Sequence, residues 1–214
     1  MEFKIYFEKV LEQFSSGDYL LQIEKAKGEF FAVSGVVHED SPLYLERINL
    51  FLDWYIFDRT LDNDDLIPVI LFYDRYHDRF NSDEEIIYSG MTKSLSSLFI
   101  VKRVNDDSVV VKDLFSRKKY KVTDNYVLGL VNKGDVFQGR LIPVKRGYIF
   151  SRGFCFHDQD CRNYIESEVN KIRHMAKSYH KSFMMKLALM KVKVEEYSHV
   201  PIRDIYSEQP KIKF

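Results

Sequence analysis

The hydrophobic period of this chain changes twice. Up to about residue 93, apolar residues recur at spacings of three and four. Between about 98 and 150 they alternate with polar residues or run in short blocks, and from about 158 to 194 the helical spacing returns. Helices, then strands, then a helix is therefore the order to expect. Phe3, Tyr6, Phe7, Val10, Leu11 and Phe14 mark a first amphipathic helix over 2–14, ended by Ser15-Ser16-Gly17. A second short helix is expected over 18–27. Phe30–Val33 and Val36-Val37 flank Gly35, and periodicity leaves strand and buried loop open there. Ser41-Pro42 reads as the start of a helix running to about Arg59. That helix is apolar on most sides, so it belongs in the centre, with Trp54 buried. Ile67 to about Phe80 reads as another helix. Ser82-Asp83-Glu84-Glu85 reads as a capping box opening one more, to about Lys93.

Five short strands are expected in the middle: Leu98–Val101, Val109–Val111, Lys119–Val122, Val136–Ile142 and Tyr148–Phe150, with one helical turn between Tyr126 and Val131. So many strands in so short a stretch suit a small closed barrel, of the OB or SH3-like kind. Gly139, inside a strand, fits the tight bend of such a barrel. One helix follows, its apolar face holding Ile172, Met175, Ala176, Tyr179, Phe183, Leu187, Met190 and Val194. The tail from Tyr197 is expected to pack as an extended arm or to be partly disordered. The fold class is α+β: a helical N-terminal half, a small five-strand barrel and a long C-terminal helix. The divisions are an acidic helical domain over 1–95, a basic barrel over 96–156, and a basic helix and tail over 157–214.

The formal charge is zero, but it is unevenly distributed. Residues 1–100 hold 19 Asp/Glu against 9 Lys/Arg, and residues 101–214 hold 13 against 23. Two opposite halves either attract each other or leave one half free for a polyanion. From Val169 to Val194 there is no carboxylate, while seven Lys/Arg occur. On a helical wheel Arg173, Lys177, His180, Lys181 and Lys191 gather beside the apolar face. Each cation that neutralises a phosphate releases a condensed counterion, so such a row favours nucleic acid. The competing reading is a solvated face, or one docked on the acidic half. The barrel is basic too, and Lys119, Lys121, Arg140, Lys145 and Arg146 are its candidate phosphate contacts. Phe99, Phe115, Tyr120, Tyr126, Phe137, Tyr148 and Phe150 lie between the charges. Exposed rings of that kind stack bases, whereas buried ones simply fill the barrel.

Other chemistries find little footing. Cys155 and Cys161 are too few for a disulfide scaffold and too far apart for a zinc pair. His77-Asp78 and His157-Asp158 invite a metal-dependent hydrolase, but a strand-rich module separates them. The Asp58–Asp65 stretch lacks the Gly and Glu of a calcium loop. There is no phosphate loop, dinucleotide fingerprint or nucleophile elbow. No apolar run approaches a membrane span, and Met1-Glu2-Phe3-Lys4 does not open a signal peptide. A bacterial, cytoplasmic setting with reduced thiols is expected. No cofactor, metal or catalytic residue is assigned.

Phe51-Leu52-Asp53-Trp54-Tyr55-Ile56-Phe57-Asp58, with Leu98–Val104, Val109–Leu114 and Gly134–Pro143, resembles a family of uncharacterised bacterial proteins. Its members join a helical part to a small β-module, and some carry a C-terminal zinc-binding SEC-C motif. The likeness covers about residues 45–152. The tail after Val194 has no Cys, so the zinc site does not carry over. The resemblance implies a fold and no reaction. The function expected is non-enzymatic binding of an anionic partner, RNA or DNA first. An adaptor gripping an acidic protein is second, and the metal-dependent hydrolase third.

Overall fold

The computed structural model describes residues 3–212. Met1, Glu2 at the start of the first expected helix, and Lys213 and Phe214 at the end of the tail lie outside the described residues. Five helices come first: α1 (Phe3–Phe14), α2 (Leu20–Ser34), α3 (Tyr44–Phe57), α4 (Pro68–Tyr76) and α5 (Ser82–Thr92). The apolar spacing buries Phe3, Phe7, Val10 and Phe14 of α1 against Phe30, Phe51, Tyr55, Phe72 and Tyr88. The Tyr55 hydroxyl, deep in this core, donates to the Phe14 carbonyl at 2.7 Å.

Several boundaries differ from the sequence expectation. Leu20 to Ser34 is one helix, so Phe30–Val33 is neither strand nor loop. Ala26, Phe30 and Ser34 repeat at four and face the core, and Gly35, at φ 88°, ends the run. α3 begins at Tyr44; Ser41 shapes the turn before it, its Oγ accepting from the Leu43 N–H. Ile67–Phe80 is shorter as an α-helix, ending at Tyr76 with a 3-10 turn over His77–Arg79. The capping box lies one residue earlier than expected. Asn81 accepts from the Glu84 N–H, and the Glu84 carboxylate accepts from the Asn81 N–H. Trp54 is half-buried, packed on Phe30 at 5.5 Å between ring centres.

The middle is a mixed barrel: β1 (Leu95–Val104), β2 (Val109–Asp113), β3 (Lys119–Val122), a helical turn α6 (Asn125–Leu128), β4 (Val136–Val144) and β5 (Gly147–Phe150). The strands run in the order β1-β2-β3-β5-β4, and β1 also pairs with β4, which closes the ring. Only the β3–β5 pairing is parallel. That order, with a helix between the third and fourth strands, is the OB arrangement. β1 serves two neighbours because it is ten residues long; Phe99 pairs with Asp113 on one side and with Phe137 on the other. A sixth strand, β6 (Cys155–His157), joins the outer side of β4 and was not expected. Three residues are too few to show a period. Phe99, Phe137 and Phe150 fill the barrel, with Phe99–Phe150 edge to face at 5.5 Å.

The C-terminal helical run is two helices, α7 (Arg162–Ile172) and α8 (Lys177–Glu196), with α9 (Ile202–Ile205) after them. The break at Arg173–Ala176 resets the wheel. Met175 and Tyr179 are therefore exposed, while Phe183, Met184, Leu187, Met190 and Val192 are buried. The tail packs: Ile205 and Tyr206 are buried against Leu187 and Met190 in one core with Leu98 and Ile100 of the barrel.

Gly90 brings α5 against β4, where any Cβ would overlap the Pro143 carbonyl oxygen. Gly90→Ala raises helix propensity by about 1 kcal/mol, yet should lower stability by about 1–3 kcal/mol, because the two backbones must separate. A higher melting temperature for this variant would refute the close approach.

His157 is buried, its Nδ1 3.0 Å from the Tyr206 hydroxyl, which in turn donates to the Leu187 carbonyl. Burial and then the Lys191 charge depress its pKa to about 3. The unfolded chain protonates this ring near pH 6.5, so below that it binds a proton the folded chain refuses, and stability falls as pH falls. Between pH 7 and 5 the protein should lose about 2 kcal/mol more than His157→Gln does. Urea melts at both pH values measure this, and equal losses would refute it.

Candidate functional site

Asp53 and Asp58 stand at the end of α3 and point at one guanidinium. Arg140 on β4 donates through Nε to Asp53 at 2.8 Å and through Nη2 to Asp58. Lys181 on α8 reaches the other Asp58 oxygen at 2.8 Å. The Arg140 guanidinium also lies over the Phe57 ring, 4.5 Å from its centre. Burial alone would raise the Asp58 carboxyl, but the Arg140 and Lys181 charges outweigh it and hold the pKa below the ordinary value. Gly153 makes room, since a Cβ there would overlap the Asp53 side chain. Arg140 is 3% exposed. It was expected to contact phosphates, but it faces inward, because β4 turns this position toward the two carboxylates of α3.

The bridge separates two hollows, which share Asp58, Ser96, Arg140, Lys181 and Met184. The slot beside Trp54 is narrow, about 60 Å³. The cleft on the other side is about 420 Å³ and opens between α4–α5, the barrel and the start of α8. Arg173, Lys177, His180 and Lys181 all line it. His180 is stacked flat on Phe115, 4.0 Å between ring centres, with Nε2 3.1 Å from the Ile172 carbonyl. Lys181 is committed to Asp58. Lys191 lies elsewhere, 3.7 Å from Asp158.

The second cationic surface is the outside of the barrel. Val109 and Val111 point in, so Val110 and Lys112 point out, as do Lys119 and Lys121 on β3. Lys112 stands directly opposite Lys119 in the ladder. Lys102, Lys112 and Arg117 border a groove against α7, closed by Arg162 and Glu166, which pair with each other. Partial burial, then the Lys112 and Arg162 charges, hold the Lys102 ammonium below its ordinary pKa. Among the described residues, Lys102, Lys112, Arg117, Lys119 and Lys121 make no ion pair. Lys145 and Arg146 are exposed at the β4–β5 turn. The sequence reading missed Lys102, Lys112, Arg117 and Arg162. The alternation around Val109–Asp113, taken with the hairpin register, carries the signal for Lys112. Of the interleaved rings, Phe99, Phe115, Phe137 and Phe150 are buried, and only Tyr126 is an exposed ring, with Arg152 over it.

The two His-Asp dipeptides do not meet. His77 pairs with its neighbour Asp78 on the surface, and His157 is sealed against Tyr206. Among the described residues, no three His, Cys, Asp or Glu side chains gather as a metal set.

Arg140→Met strands two buried carboxylates without their shared cation, and should cost about 3–5 kcal/mol. Adding Asp53→Leu and Asp58→Asn to it should recover most of the loss, because an apolar or neutral replacement leaves no buried charge unpaired. Urea melts decide the matter, and a loss under about 1 kcal/mol for the single variant would show that the bridge is dispensable.

No helix among the described residues is long and apolar enough to cross a membrane. No curated protein and no solved structure matches the chain. A family model does match, over residues 4–193, a span that takes in α3 with its two aspartates, the whole barrel and most of α8. The chain therefore belongs to this family of unknown function, DUF7986.

Proposed function

We propose that the protein binds a polyanion, single-stranded RNA or DNA, along the outer face of β1–β2–β3. The observation that carries this is Lys112 directly opposite Lys119, flanked by Lys102, Arg117 and Lys121, with no ion pair to any of them among the described residues. Like charges facing each other across a ladder are destabilising. A phosphate backbone laid on the face reverses the sign of that interaction. Small barrels of this topology use the face of strands 2 and 3 and the loop between strands 4 and 5 for oligonucleotides, and Lys145 and Arg146 occupy that loop here. The rings that would stack bases are mostly inside the barrel, so binding is carried by phosphates and tolerates any sequence. The bacterial, cytoplasmic setting and the likeness to proteins with an added SEC-C motif belong to the same reading.

Fluorescence anisotropy with a labelled oligonucleotide tests it. Affinity should fall with salt at a slope of about −0.7 per neutralised phosphate. Lys119→Glu should weaken binding and leave the melting temperature unchanged or higher, because it turns a like-charge pair into an opposite one. No binding by the wild type at low salt, to either RNA or DNA, overturns the proposal. Tighter binding of poly-glutamate than of the oligonucleotide would do the same, and would favour the adaptor for an acidic protein.

A further inference from the structure

We propose that the cleft between the helical half, the barrel and α8 binds a small phosphate monoester, its phosphate toward Arg173 and Lys177 and its apolar body against Phe57, Met91, Leu95 and Met184. The volume, about 420 Å³, is that of a small-molecule site. Its lining is of two chemistries. Arg173 and Lys177 have no ion pair among the described residues, and the Arg173 Nε–H is buried without an acceptor. A buried donor left unpartnered costs free energy, and an entering anionic oxygen removes that cost. The negative groups of the cleft are already engaged. Asp58 is held by Arg140 and Lys181, and Asp113 accepts from the Ser97 and Ser116 hydroxyls and the Phe115 N–H.

Two uncommitted cations match the two charges of a phosphate monoester better than the one of a carboxylate. The Ser94 hydroxyl, which accepts from Arg140, keeps its hydrogen free to donate. Ser96 lines the same floor. Phe57, Met91, Leu95 and Met184 give the same cleft its apolar lining. This site is separate from the barrel face, and its failure leaves the nucleic-acid proposal standing.

Thermal-shift and calorimetric titrations with phenyl phosphate and adenosine 5′-monophosphate, against phenol, adenosine and inorganic phosphate, test the inference. The esters should raise the melting temperature in a concentration-dependent way, phosphate alone less, and the phosphate-free bodies not at all. The double variant Arg173→Gln, Lys177→Gln should lose about tenfold or more in ester affinity while keeping oligonucleotide binding, and Lys119→Glu should do the reverse. Neither ester binding the wild type at about 10 mM would overturn it. Undiminished ester binding by the folded double variant would do so equally.

Discussion

Arg140 holds this molecule's three parts together. Its guanidinium takes carboxylates from the end of α3, rests on Phe57, and shares Asp58 with Lys181 of α8. Burying such charges is costly, and the arrangement persists because each charge has an opposite neighbour. Asp53, Asp58 and Arg140 are withdrawn from water, and Lys181, reaching in from the solvent side, brings the set to two cations and two anions. The same contact explains part of the charge split along the chain. The acidic half supplies the anions, the basic half supplies the cations, and they meet in the interior rather than at the surface.

The motif on α3 is thereby explained as structure. Phe51 and Tyr55 enter the helical core, Asp53 and Asp58 clamp Arg140, Phe57 underlies the guanidinium, and Trp54 packs on Phe30 beside the narrow slot. A helix used on nearly every side leaves little room for substitution. Only part of the positive charge is consumed in this way. What is left separates into two surfaces, the outer barrel face with its groove against α7 and the cleft beside the bridge. A positively charged groove suits an extended chain and a cleft a small molecule.

Much of the fold was legible because it depends on local period. Apolar spacing gives α1, a capping signal gives α5, and alternation gives β3. Short apolar blocks separated by turns give the remaining barrel strands. Errors cluster where local signals are ambiguous. Phe30–Val33 is β-prone by composition but joins α2, because Ala26, Phe30 and Ser34 face the core at helical spacing. The single long basic helix failed at Arg173–Ala176, where no Gly or Pro marks the break. That error propagated, since a wheel drawn through a break assigns Met175 and Tyr179 to a buried face that they do not share.

The sequence by itself determined the element types, the α+β class, the small barrel and the sign of charge in each half. These follow from periods and composition, which need no knowledge of what packs on what. Only the tertiary structure decided the fate of each charge. Arg140 and Lys119 are both basic residues on barrel strands; one is locked between two aspartates and the other faces solvent. The difference lies in which way the strand turns each position, and in whether a carboxylate 82 or 87 residues away in the chain arrives to meet it. Such long-range pairings leave no local trace, because the energy that selects them exists only once the distant elements are in contact.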